Sequence, residues 1–146
     1  MKNTNMARQE HGFTIVELMV VVFIIGLLAV ISIPKFADLV KESNEGSTKG
    51  NLGAIRAAMS VYYGDTYGAY PQQIADLTIG GKYLGFTVPA AKTPYYHDNS
   101  AAEHDASSVN DMGGWFFDNV PSDQNYGTVL VNCTHTDSSG STWDAY

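Results

Sequence analysis

The chain has 146 residues, 45% of them apolar and only 16% charged, which gives room for about one domain with a surface built largely from Gly, Ser, Thr, Asn and Tyr. Net charge is −7, and from Pro94 to Tyr146 there is no Lys or Arg beside Asp98, Glu103, Asp105, Asp111, Asp118, Asp123, Asp137 and Asp144. Clustered cations are what displace counterions from phosphates, so this acidic half excludes direct nucleic-acid binding; the single cysteine, Cys133, excludes an intrachain disulfide.

Residues 1–12 are polar and carry Lys2 and Arg8. An apolar run follows from Phe13 to Ile33, interrupted by Thr14, Glu17, Gly26 and Ser32. About 20 such residues cross a bilayer as a helix, and the positive-inside rule keeps Lys2 and Arg8 on the cytoplasmic side. In an ordinary secretory signal the apolar region precedes a small-residue cleavage site and is lost. Here the small residue at a boundary, Gly12, lies before the run, so a cut there retains the span. Glu17 places a carboxylate at the mouth of this segment, where an ionisable group marks a functional position by default. A carboxylate there also suits the positive end of a helix dipole.

Pro34 removes a helix donor, and with Gly26 it predicts a loosened or kinked stretch rather than a stop. Beyond it Phe36, Leu39 and Val40 continue a helical face. Gly46, Gly50 and Gly53 weaken the helix locally, and a linker over 44–51 is the alternative there. Leu52, Ile55, Met59 and Tyr62 then recur at spacings of 3, 4 and 3, one helical face. The pattern predicts a nearly continuous helix from about Thr14 to Tyr63. Gly64 and Gly68 end it, Gln72 to Leu77 predicts a helical turn or two, and 97–111 reads as an exposed acidic loop. Gly114–Asp118 and Tyr126–Cys133 are β-rich runs that predict an antiparallel hairpin covering the amphipathic half of the helix.

Cys133 and His135 share one face of a strand, but a metal needs more ligands, and His97 or His104 contribute only if they fold near. The sequence reading is a buried free cysteine and a surface histidine. No serine–histidine–aspartate set is assignable from order, and no phosphate-cradling glycine motif occurs.

Gly12-Phe13-Thr14-Ile15-Val16-Glu17, the long apolar run and Pro34 together resemble the prepilin signature of type IV pilins and type II secretion pseudopilins. Tyr62-Tyr63-Gly64 through Gly68-Ala69-Tyr70-Pro71 is similar to the helix-end stretch of the same proteins. The resemblance implies an α+β, pilin-like fold: a long N-terminal helix packed on a small antiparallel sheet. The chain divides accordingly into a leader at 1–12, a transmembrane or filament-core segment at 13–34 and a head at 35–146. It implies a structural subunit and not an enzyme. A prepilin peptidase cuts between Gly12 and Phe13 and methylates the new amino group. Through an inner-membrane assembly platform the subunits join a helical homo-oligomeric filament, periplasmic or at the cell surface. Glu17 then pairs with the Phe13 amine of a neighbouring subunit. The mature length, the helix-end stretch and the missing disulfide favour a major pseudopilin of a secretion system. The alternatives are a major pilin of a surface pilus (for adhesion, twitching or uptake) and, more remotely, a membrane-anchored binding domain. No cofactor is implied except a Ca²⁺ in the C-terminal region, for which Asp118, Asp123, Asn125 and Asp137 are candidates.

Overall fold

The computed structural model describes residues 12–105 and 108–146. The chain divides into two compact units, Met1–Asp38 and Leu39–Tyr146. One helix, α1 (Ile15–Asp65), runs through Gly26, Pro34 and all three glycines of 46–53 without a break, so no linker separates two helices.

In the first unit the helix surface is apolar and open. No residue of its most apolar window is buried within the chain, and the stretch is long and apolar enough to cross a membrane.

In the second unit the spacing of 3 and 4 resolves as expected. Leu52, Ile55, Ala58 and Met59 form the buried face of α1, joined by Thr48 and Glu45 one and two turns earlier. They enclose one core with Ile74, Leu77, Trp115, Phe117, Val129, Val131, Cys133 and Trp143, and Tyr62 packs against its edge. Gly46, Gly50 and Gly53 lie elsewhere on the helix, where an added Cβ would meet nothing.

The sheet has three short strands: β1 (Glu103–His104), β2 (Trp115–Phe117) and β3 (Val129–Val131), in the order β1-β2-β3. β2 pairs antiparallel with β3, Trp115 opposite Val131 and Phe117 opposite Val129, which is the expected hairpin. β1 pairs parallel with β2, so the sheet is mixed rather than antiparallel, and the segment read as an exposed loop supplies an edge strand. All three residues of β2 are buried, so its outer edge cannot leave its donors to water. The Trp115 N–H accordingly donates to the Ala102 carbonyl at 2.8 Å.

Two 3₁₀ helices, Ile74–Gly81 and Trp143–Ala145, complete the head. Glu103 ties β1 to the first of them, its Oε2 accepting from the Ile74 N–H at 2.6 Å. Burial raises the Glu103 carboxyl above its usual range, although that hydrogen bond opposes the shift.

Polar side chains of α1 lash the helix to the loops. The buried Thr48 hydroxyl donates to the Lys92 carbonyl at 2.8 Å and accepts from the Lys92 N–H at 2.7 Å. Arg56 donates twice to the Val129 carbonyl and once to that of Tyr146. Lys49 reaches Asp137 at 2.6 Å and the Tyr146 hydroxyl at 2.8 Å, and that hydroxyl itself donates to Asp137. The Asp137 side chain is fully buried. Burial alone would favour its neutral form. The bonds from Lys49, Ser139, Tyr146 and the Ser141 N–H outweigh it and hold the carboxyl well below the usual range.

Removing the ammonium leaves this carboxylate buried with only neutral donors. Lys49→Met is therefore expected to cost about 3 kcal/mol of head stability in urea denaturation. A loss below about 1 kcal/mol would place the pair among weak surface bridges. Since the Asp137 pKa is lowered on folding, its contribution is present above the ordinary carboxylate range. It should fade as pH falls below about 4, and Asp137→Asn should flatten that acid limb.

Candidate processing and assembly site

Gly12 and Phe13 precede the first residue of α1 on non-helical backbone, and Phe13 is 88% exposed. A peptidase needs an extended chain at the bond it cuts, and Gly12 adds no side chain to obstruct one. The remainder of the expected leader, 1–11, lies outside the described residues.

Thr14 caps the helix. Its Oγ1 accepts from the Glu17 N–H at 3.2 Å, while Glu17 Oε2 accepts from the Thr14 N–H and the Thr14 hydroxyl, each at 2.9 Å. This is a reciprocal capping box, with Thr14 at the N-cap and Glu17 three residues on. Thr-x-x-Glu before an apolar run is the sequence signal for it, and reading Glu17 only as a charge misses that signal. Among the described residues only Oε2 is engaged, and a carboxylate has further acceptor positions on its other oxygen. The box thus fixes the Glu17 side chain at the helix mouth without exhausting it. Gly26 and Pro34 both lie inside α1, in the exposed first unit, and an added Cβ on Gly26 would meet nothing.

The proposed calcium positions have other partners. Asp137 is committed to Lys49, Tyr146 and the turn Ser139–Ser141. Asp118 Oδ1 accepts from the Val120 N–H at 3.1 Å, and Asp123 and Asn125 shape the turn before β3 through backbone bonds. Among the described residues a different grouping brings metal-ligand atoms together: His97, Asp111, Cys133 and His135, all within 4.8 Å of one another. His97 does fold near Cys133 and His135. His104 lies in β1 and is not part of the group. Asp111 carries no sequence signal for membership, since its separation from Thr134, whose N–H it accepts at 2.8 Å, is 23 residues.

A family profile described as the prokaryotic N-terminal methylation motif matches residues 7–33, the same stretch that holds the capped helix start. The chain is 37% identical over 86 residues to fimbrial protein EcpC of Eikenella corrodens, covering 56% of each protein. It is 36% identical over 85 residues to the type IV major pilin protein PilA of Myxococcus xanthus, covering 57% of this chain and 39% of that one. It is 41% identical over 64 residues to type II secretion system core protein G of Pseudomonas aeruginosa, covering 44% of each. The chain therefore spans about half the length, or less, of these relatives. No solved structure matches it significantly. The chain thus carries the prokaryotic N-terminal methylation motif and is similar over part of its length to type IV pilins and to a type II secretion core protein.

Proposed function

We propose that the chain is the repeating subunit of a type IV pilus-like filament. It is made as a single-pass precursor in a bacterial inner membrane, with its N-terminus cytoplasmic. A prepilin peptidase cuts it between Gly12 and Phe13 and methylates the Phe13 amine, and an inner-membrane assembly platform extracts it into a helical homo-oligomer. The carrying observation is a capped helix whose first half is apolar and unburied while its second half is built into a folded head. An open apolar surface of that length needs lipid before assembly and neighbouring helices after it. The role is structural, not enzymatic.

Within that class a secretion pseudopilus is the preferred reading, on the single cysteine and the Tyr62-Tyr63 to Tyr70-Pro71 helix end. The second reading is a surface pilus, favoured by the longer matches to the fimbrial protein and the major pilin. Intact mass and N-terminal sequencing of the chain from native membranes test the proposal. The expected start is N-methylated Phe13, and a retained leader beside an active prepilin peptidase would refute it. Electron microscopy of intact cells then separates the readings, since only the pilus predicts long external fibres.

A further inference from the structure

The head gathers two histidines, a cysteine and a carboxylate to which the proposed function assigns no role. They come from three separate segments. His97 ends the turn after Thr93, whose carbonyl accepts from both the Tyr96 and His97 N–H groups. Asp111 stands in the 110–113 loop in left-handed backbone, φ 62°. Cys133 and His135 follow β3, the thiol buried and free.

The distances among them are informative. His97 Nε2 lies 3.2 Å from Asp111 Oδ1, His135 Nδ1 lies 3.3 Å from the same oxygen, and Cys133 Sγ lies 3.5 Å from His135 Nδ1. Zinc–nitrogen and zinc–oxygen bonds near 2.1 Å, with a zinc–sulfur bond near 2.3 Å, give a tetrahedron with edges of about 3.4 Å between N or O ligands and about 3.6 Å between S and N. The three observed separations approximate three of the six edges, and all four ligand atoms lie within 4.8 Å of one another.

His135 Nδ1 faces both the Asp111 carboxylate oxygen and the Cys133 sulfur. Around a common cation each of these atoms would offer a lone pair.

Neighbouring groups hold three of the ligands in place. The Thr134 N–H fixes Asp111 Oδ1 at 2.8 Å. Tyr96 stacks on His135 with centroids 4.1 Å apart and planes 12° from parallel. The fully buried Asn132 pins the Asp111 loop by exchanging bonds with Asn110 at 2.7 and 2.9 Å and donating to the Gly113 carbonyl. Gly113 lets His97 approach: an added Cβ would sit 2.8 Å from His97 Cβ.

The geometry points to a Zn²⁺ site formed by His97, Asp111, Cys133 and His135. Two nitrogens, a carboxylate oxygen and a thiolate suit a borderline-soft divalent ion better than calcium. Binding would release the Cys133 thiol proton to water as the Zn–S bond forms. The ion would join three loops that the single cysteine cannot join by a disulfide, and so brace the head.

The test uses the full chain in detergent, stripped of metal with chelator and titrated with Zn²⁺, Co²⁺, Ca²⁺ or Mg²⁺. The expected result is one Zn²⁺ per chain and a raised melting temperature with Zn²⁺ but not with Ca²⁺ or Mg²⁺. Co²⁺ should give the thiolate-to-metal charge-transfer band of a tetrahedral sulfur-ligated site. His97→Ala and Asp111→Asn, both partly exposed, should weaken Zn²⁺ binding about a hundredfold or more. Absence of the thiolate band in the unmodified chain would overturn the site even if a variant fails to fold. So would Zn²⁺ affinity undiminished in both folded variants, which would leave a histidine–aspartate hydrogen-bond network.

Discussion

A Glu17→Ala chain is expected to insert and to be cut after Gly12, yet to yield filaments reduced about a hundredfold or more. The argument rests on where Glu17 sits. Its Oε2 closes the capping box on Thr14 at the start of an apolar helix face that nothing among the described residues covers. In a filament that face is buried against other helices, and a charge at its mouth is tolerated only if paired. Under the proposed processing, the new Phe13 amine of a neighbour would be the cation that cleavage creates. A slip in register would strand both charges, so the pair would fix the stacking of subunits as well as strengthen it. Glu17→Gln separates the two roles, because glutamine still closes a capping box but carries no charge. Filament yield is read by electron microscopy and by the sheared fraction, with N-terminal mass as the control for cleavage. Normal assembly of Glu17→Gln would reduce the carboxylate to a helix cap, and normal assembly of Glu17→Ala would remove it from assembly altogether.

The second large effect lies in the head. Gly114→Ala is expected to destabilise it by at least about 3 kcal/mol, enough to lower the melting temperature by many degrees or prevent folding. Gly114 has φ +75°, where an L side chain is strained, and its Cβ would stand 2.3 Å from the Ala102 carbonyl oxygen. That carbonyl accepts the Trp115 N–H, the bond that holds the edge strand to the sheet. On its other side the Gly114 carbonyl accepts from the Asn132 N–H at 3.0 Å. The residue is therefore held from both sides and cannot move away from the clash. Gly140→Ala is the matched control, since its φ is also positive at +85° but an added Cβ meets nothing. It should cost only the backbone strain, about 1 kcal/mol. Equal melting curves for the two variants would show that crowding at Ala102 is relieved by a small shift of β1.

The helix was legible because it repeats a period, and the hairpin because its strands are β-rich runs. Leu52, Ile55 and Met59 recur every three or four residues and land on one buried face. Trp115 to Phe117 and Val129 to Val131 are compact β-branched and aromatic runs that pair with each other. Glu103–His104 was not legible, since two polar residues in an acidic stretch have no alternation to read, and their strand exists only because buried β2 needs a partner on its outer edge. The same holds for the cluster around Cys133. His135 is visible two residues on, but His97 and Asp111 arrive through loop closures of 36 and 22 residues, which no local spacing encodes. At the N-terminus the whole candidate site is local, Gly12 to Glu17, and every residue of it could be picked out. Treating Glu17 only as a charge leaves out its Thr-x-x-Glu spacing, which signals the bond between the two.

The glycines of α1 have a mechanical consequence. Each costs a helix about 1 kcal/mol relative to alanine, and three of them fall within 46–53 with open space beside them. That stretch has too little intrinsic propensity to stay helical by itself. It is held by Thr48, Lys49 and Asn51, whose side chains bond to Lys92, Asp137 and Ala90. Helix and head are therefore expected to melt as one cooperative unit over these residues. Tension drawn along the helix would be carried there by side-chain bonds to the head, which makes the head the element that sets how much load the subunit withstands.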